Sequence, residues 1–319
     1  MNLNEVTIAI PLHNGSEFSE IVFANIQRLS QHCQIIVSDC TENDDLLEKV
    51  LMKFGNYANL SIIGKRNLET GWVPHWNDLM ERAQTKYFMW LSQDDEVELE
   101  WVTENFRNLE DHPDLAGSFG LLYRVLEDSS AVEYGERFPV SHRRSFKFLA
   151  NELINSWNLG IATRAIWNKS KVLLILDTQD PNSEWADIVW IYGTLLEHKI
   201  GQINNVSYRK RWYKGSAHSN WRPFDILLAR NLLLREINRR NLSLEPGVEL
   251  LEICLANQIK QINDLSINWN NLMHEKDQHL NELNREKNQH LNELNKVLTS
   301  KSWRLTQPIR AAMKSLRNF

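Results

Sequence analysis

Strands alternating with helices over the first 110 residues constrain this chain more than any other feature. Val6-Thr7-Ile8-Ala9-Ile10 is a β-rich run closed by Pro11 and the turn His13-Asn14-Gly15. A helix is predicted over about 18–30, with Ile21, Val22, Asn25, Ile26 and Leu29 on one face. Residues 34–37 read as a second short buried strand ending at Ser38-Asp39, and 46–54 as a helix. Residues 60–63 read as a third strand and 77–83 as a helix. Residues 87–91 are a fourth strand, ending in Ser92-Gln93-Asp94-Asp95-Glu96. Such alternation gives a parallel sheet with flanking helices. In open α/β sheets the ligand lies beyond the carboxyl ends of the strands. Asp39 and Asp94-Asp95 both stand at such ends.

Two further zones follow. Residues 111–240 are mixed: apolar strands are predicted at 117–123 and 159–163, and a helix at about 185–198. After the linker-like Leu242-Ser243-Leu244-Glu245-Pro246-Gly247, apolar residues recur at spacings of three and four: Leu251, Leu255, Ile262, Leu265, Trp269 and Leu272. An 11-residue repeat then begins at Glu275 and again at Glu286, with Leu280, Leu283, Leu291, Leu294 and Leu298 in one narrow stripe. That period suits a straight or slightly right-handed supercoil. A long polar helix with one thin apolar seam needs a partner helix, so a coiled coil and a homo-oligomer through 251–298 are expected.

Composition excludes several classes. With 42% hydrophobic and 24% charged residues, a packed core is available and wholesale disorder is excluded. No apolar run approaches the ~18–20 residues of a membrane span. The first ten residues lack the basic and apolar regions of a signal peptide. Cys33, Cys40 and Cys254 have no metal or disulfide spacing, and are expected to be free thiols of a cytoplasmic protein. Net charge is −5, but six basic and no acidic residues lie from Lys296 to the end, leaving −11 on the rest. An acidic body argues against nucleic acid. The basic tail, with Trp303 and Phe319, suits an anionic membrane surface. Twelve tryptophans, many near polar residues, suit stacking on sugar faces as well as core filling.

A carboxylate pair at a strand end can hold a divalent cation through hard oxygen ligands. Such a cation stabilises a diphosphate leaving group. Acids in that place also suit the first turn of a following helix. The wider arrangement resembles the N-terminal half of the family 2 glycosyltransferases, which have the GT-A fold, a Rossmann-like, mostly parallel α/β sheet. Pro11-Leu12-His13-Asn14 resembles their first-strand turn. Asp39 with Thr41-Glu42-Asn43-Asp44 resembles their second, and Leu91-Ser92-Gln93-Asp94-Asp95 their metal motif. The likeness covers about 5–219. The chain departs from it at His13, which replaces an aromatic, in lacking the Gly-Ser of the nucleotide turn, and at Ser92, which replaces the first acid of the metal motif.

The resemblance implies a glycosyltransferase domain at 1–242, with a nucleotide-binding half to about 110 and an acceptor half beyond it. A coiled-coil helix at 243–298 and a basic amphipathic tail at 299–319 would follow. It implies a metal-dependent inverting transfer from a nucleoside-diphosphate sugar, UDP- or dTDP-linked, to a hydroxyl of a glycan. The basic, apolar tail from Lys296, whose Ser302-Trp303-Arg304-Leu305-Thr306-Gln307-Pro308-Ile309-Arg310 looks like a C-terminal segment of bacterial cell-surface polysaccharide transferases, points to a lipid-linked glycan. Asp39 would accept from the base. Pro11, His13 and Asn14 would line the nucleotide pocket. Asp94 would face ribose or metal, and Asp95 would bind Mn²⁺ or Mg²⁺. Ser183-Glu184-Trp185-Ala186-Asp187 looks like the family's acceptor-side segment, with Asp187 preferred to Glu184 as base. Arg164 would touch phosphate or acceptor, Arg211 or Lys214 phosphate, and His218 the metal. Asp187 also suits a helix N-terminus, and the basic residues a solvated loop. An inactive scaffold that organises partner enzymes through its coil is the alternative. A nucleotidyltransferase would want a Gly-rich phosphate loop after the first strand, which His13-Asn14-Gly15-Ser16 does not supply.

Overall fold

The computed structural model describes residues 2–41, 45–64, 71–126, 130–134, 162–176, 186–211, 213, 226–243 and 245–300, and residues 304, 306, 308–310, 313 and 314 beyond them. Chain contacts divide it into two compact units, Met1–Leu255 and Ala256–Phe319.

The first unit is built on a nine-stranded sheet ordered β3-β2-β1-β4-β8-β6-β9-β5, with β7 beside β6. β1 (Val6–Leu12), β2 (Gln34–Asp39), β3 (Leu60–Ile63) and β4 (Tyr87–Trp90) form the expected parallel part. Helices α1 (Ser19–Leu29), α2 (Leu46–Phe54) and α3 (Trp72–Arg82) connect them in turn. The inner strands β1 and β4 are buried almost throughout, which requires the continuous apolar runs seen there. α3 starts five residues before its sequence signal. Gly71, at φ 67°, caps it, and Pro74 lies in the first turn, where its missing N–H costs nothing.

Beyond β4 the sheet changes character. β8 (Ile166–Asn168) runs antiparallel to β4 and to β6 (Leu115–Val125). β9 (Lys199–Arg211) is parallel to β6 and antiparallel to the two-residue β5 (Glu96–Val97). β7 is Ala131–Tyr134, and α4 (Leu99–Asp111) links β5 to β6. The strand expected at 159–163 lies largely outside the described residues. Its last two, Ala162 and Thr163, belong to a turn closed by the Ala165 N–H on the Ala162 carbonyl at 2.9 Å.

Two helices cover this half. α5 (Ala186–Glu197) is buried on most of its length, and α6 is Ile226–Arg239. They are joined by a buried charge network. Arg240 Nε bonds Glu236 Oε1 at 2.7 Å, Arg239 Nε bonds Glu236 Oε2 at 2.6 Å, and Arg240 reaches Glu197 on α5. Gly193 admits the network, since a Cβ there would overlap the Glu236 side chain. Tryptophans fill the core between the layers. Trp76 stacks on Trp90 at 5.1 Å, and Trp190 meets Trp90 and Trp167 edge-on at 5.3 and 4.6 Å. α7 (Glu245–Thr299) is one helix of 55 residues. From Ala256 it belongs to the second unit, where Leu280, Leu283, Leu291 and Leu294 are each about half exposed.

Candidate active site

Three loops meet at the carboxyl ends of β1, β2 and β4. Gln93, after β4, brackets the backbone of His13: its Oε1 accepts from the His13 N–H at 2.9 Å and its Nε2 donates to the His13 carbonyl at 2.7 Å. Asn14, at φ 48°, donates its N–H to Thr41 Oγ1 at 2.7 Å. The Cys40 thiol is 3.5 Å from His13 Nδ1, and burial pushes its pKa up, with the Asp39 charge adding to the effect. Asp39 is fully buried at the end of β2, and its Oδ1 accepts from the Thr41 N–H at 2.8 Å. Pro11, His13, Asn14 and Asp39 therefore share one corner, with His13 and Asn14 exposed.

The turn after β4 carries the two acids, and they face different surroundings. Asp95 is 1% exposed. Its Oδ2 accepts from the Tyr208 hydroxyl at 2.9 Å, its Oδ1 accepts from the Arg211 N–H at 3.2 Å, and Arg164 Nε stands 3.7 Å from Oδ2. Asp94 is half-buried and hydrogen-bonds the Tyr213 hydroxyl, whose ring packs on Phe18 at 5.4 Å. Burial and the Asp95 charge push the Asp94 carboxyl up to about 6. Burial and the Asp94 and Glu17 charges push Tyr213 up to about 12.

Asp187 enters the same field from α5. It sits in the first turn and accepts from its neighbour's N–H, that of Ile188, at 2.9 Å. Burial raises its pKa, while Arg164, that N–H and Lys210 oppose the rise. Burial lowers the pKa of Arg164, and Asp95, Tyr208, Asp187 and Asp94 together outweigh it. Burial and Arg164 lower Lys210 to about 7 against the pull of Asp95, Asp94 and Asp187. Three carboxylates thus share two cations, although Asp94 and Asp187 are far apart in sequence.

The other expected residues divide. Arg211 lends its backbone N–H to Asp95, but its guanidinium bonds Glu96 Oε1 at 3.1 Å. Glu184, Lys214 and His218 lie outside the described residues. Lys210, Tyr208, Tyr213 and Gln93 belong to the site without having been singled out. The signal for the first two is strand alternation along β9, which its polar sequence conceals.

The donor set at Asp94 fits a hard divalent cation. Its side chain is partly exposed, and three carboxylates gather there with the two basic side chains Arg164 and Lys210. Asp95, the other residue expected to bind the metal, has both oxygens bonded inward, to the Tyr208 hydroxyl and the Arg211 N–H, and so backs this position. Among the described residues no group of three His, Cys, Asp or Glu side chains is placed to hold a metal.

A family model described as "Glycosyl transferase family 2" matches residues 7–167, just over half the chain and all three loops of the site. The chain belongs to that family and is a glycosyltransferase. Members of the family commonly depend on a divalent cation. Its fold is similar to that of the S. aureus TarS fragment 1–349, at 14% identity and a TM-score of 0.55, over 78% of this chain and 70% of that one. The same fragment in complex with UDP-GlcNAc gives a TM-score of 0.55 at 14% identity, over 76% and 69%. A longer TarS structure gives 0.51 at 14% identity, over 77% of this chain and 42% of that one. No curated protein matches the sequence.

Proposed function

We propose that this glycosyltransferase moves a sugar from a UDP- or dTDP-linked donor to a glycan hydroxyl with inversion at the anomeric carbon. One observation carries the reading: Arg164 stands 3.7 Å from Asp95, and its charge, like that of Lys210, is felt by Asp94 and by Asp187 at the start of α5, so the base candidate and the acidic turn belong to one charged cluster.

Asp39 accepts the N–H of a uracil or thymine base, with Pro11, His13 and Asn14 around the nucleoside. Asp94 is the carboxylate for Mn²⁺ or Mg²⁺, which when bound supplies charge neutralisation for the leaving diphosphate. Asp95 holds β9 and Arg164 in place behind it. Asp187 takes the proton of the attacking hydroxyl, and burial makes it a stronger base than an exposed carboxylate. The acceptor oxygen bonds C1 as the C1–O bond to the diphosphate breaks, and that bond's electron pair leaves on the phosphate oxygen. Glu184 is the second candidate for the base, and Lys214 and His218 for phosphate and metal.

The acceptor reading is a lipid-linked glycan at the inner face of the cell membrane. The six basic residues from Lys296 onward, with no acid among them, support it. Among the described residues no helix is long and apolar enough to cross a membrane; the basic tail is the element proposed to attach peripherally. The exposed leucine stripe of α7 supports self-association over 251–298.

Thermal melting with UDP-, dTDP- and GDP-sugars, each with Mn²⁺ or Mg²⁺, tests the donor reading, because a ligand of the native state raises the melting temperature. A uridine or thymidine diphosphate sugar should raise it. No shift with any of them overturns the reading.

A further inference from the structure

We propose that Lys210 binds the diphosphate of the sugar donor, an assignment that rests on the donor reading above. Side chains alternate along a strand, so Tyr208 and Lys210 share one face of β9, and Arg209 and Arg211 the other. Two hydrogen bonds fix which face is which. The Tyr208 hydroxyl reaches Asp95 at 2.9 Å, and the Arg211 guanidinium reaches Glu96 Oε1 at 3.1 Å. Arg209 stands opposite Glu96 in the β5–β9 register. Lys210 therefore lies on the site face, two residues nearer the end of the strand than Tyr208. Its ammonium interacts with Arg164, Asp95, Asp94 and Asp187, the residues around the proposed diphosphate position.

The two cations of the cluster have different places. The Arg164 side chain is 12% exposed with Nε 3.7 Å from Asp95, so its guanidinium is engaged by that carboxylate. Lys210 projects from a strand whose next residues enter the segment carrying Tyr213, which reaches Asp94. A lysine ammonium has three rotatable donors on a flexible stem, which suits phosphate oxygens presented from a mobile ligand. Bonds between ionised groups are the strong class of hydrogen bond. During transfer the phosphate oxygen that keeps the electron pair of the broken C1–O bond gains negative charge, and the Lys210 ammonium donates to that phosphate.

Isothermal titration with UDP and with uridine, at constant Mg²⁺, separates the phosphate contribution from that of the base. Lys210→Met should weaken UDP ~10–100-fold, the scale of one lost charged hydrogen bond, and leave uridine unchanged. Lys210→Arg should keep most of the UDP affinity. Lys210→Gln serves as the neutral variant should Lys210→Met melt early. Unchanged UDP affinity in the neutral variant, or an equal loss for uridine, overturns the assignment. A wild-type protein that binds neither ligand overturns the donor reading itself, a result distinct from UDP binding that ignores Lys210.

Discussion

The Tyr208 hydroxyl donates to Asp95 Oδ2 at 2.9 Å and so fastens β9 to the turn that carries Asp94. Both groups are fully buried. Burial and the Asp95 charge hold the Tyr208 phenol well above its ordinary pKa, so it remains a donor at every physiological pH. Removing the hydroxyl leaves a buried carboxylate short of one partner. Tyr208→Phe should cost about 1.5–3 kcal/mol in urea unfolding, the range for hydrogen bonds to charged groups. A change under 0.5 kcal/mol, on the order of a neutral surface substitution, would show that Arg164 and the Arg211 N–H suffice.

Asp94 gives a pH prediction. Its folded-state pKa, about 6, lies above the ordinary carboxylate value because burial and Asp95 disfavour its charge. A raised carboxyl pKa means that the native state binds the proton more tightly than the unfolded chain. Stability is then greatest below about pH 4 and declines as pH rises through about 6. Asp94→Asn should therefore raise the melting temperature at pH 8, by an amount worth roughly 1–3 kcal/mol, and give no gain below pH 4. Divalent-cation affinity should run the other way, falling as pH drops through about 6. A variant that is destabilised equally at both pH values would refute the desolvation argument.

Asp187→Asn should keep donor binding and lose transfer, because the amide cannot take the acceptor's proton. A drop in kcat of ~10²–10⁴-fold is the scale of a general base. Activity retained in Asp187→Asn and lost in Glu184→Gln would move the base to Glu184.

The Glu236–Arg240–Glu197 network makes a prediction about the platform under Asp187. Glu236 is 0% exposed, and Arg240 bonds it while reaching Glu197 on α5. Arg240→Ala should destabilise by ~3–5 kcal/mol, because one partner of a buried pair is left uncompensated. Gly193→Ala should also destabilise, since its methyl overlaps Glu236. Replacing Glu236 and Arg240 together with Leu and Met should cost less than Arg240→Ala alone; a larger cost would mean that the network stabilises outright.

How far the sequence could be read depended on local signals. β1 to β4 and α1 to α3 were legible because buried parallel strands are plain apolar runs. The family's turns were legible too, since Pro11, Asn14, Asp39, Asp94 and Asp95 sit at those strand ends. β5, β8 and β9 were not. Two have three residues or fewer, and Lys199–Arg211 contains Asn204-Asn205 and Arg209-Lys210-Arg211, which look like a solvated loop. That strand becomes visible only through its partners, β6 and β5. Missing it hid the alternation that separates Lys210 from Arg211. The contrast between Asp94 and Asp95 was likewise unreadable from spacing. It arises from Tyr208, more than 100 residues away.

The leucine stripe of α7 supports a prediction about assembly. Leu280 and Leu283, then Leu291 and Leu294, repeat at 11 residues and are 48–54% exposed. Fully burying a leucine is worth about 1.5–3 kcal/mol, so half of that over four positions already favours pairing of helices. A partner with the same 11-residue period matches this seam along its length, and a second copy of the chain has that period. Removing residues 256–319 should therefore give a monomer by sedimentation. Removing only 297–319 should leave the oligomer whole and release it from anionic vesicles, because each basic residue near such a surface is worth ~1 kcal/mol. Linked tails bind such a surface more tightly than one, so monomers made by mutating the four leucines to Ser should bind the same vesicles more weakly. A full-length protein that sediments as a monomer and ignores anionic vesicles at low salt would remove both the assembly and the membrane surface from the reading.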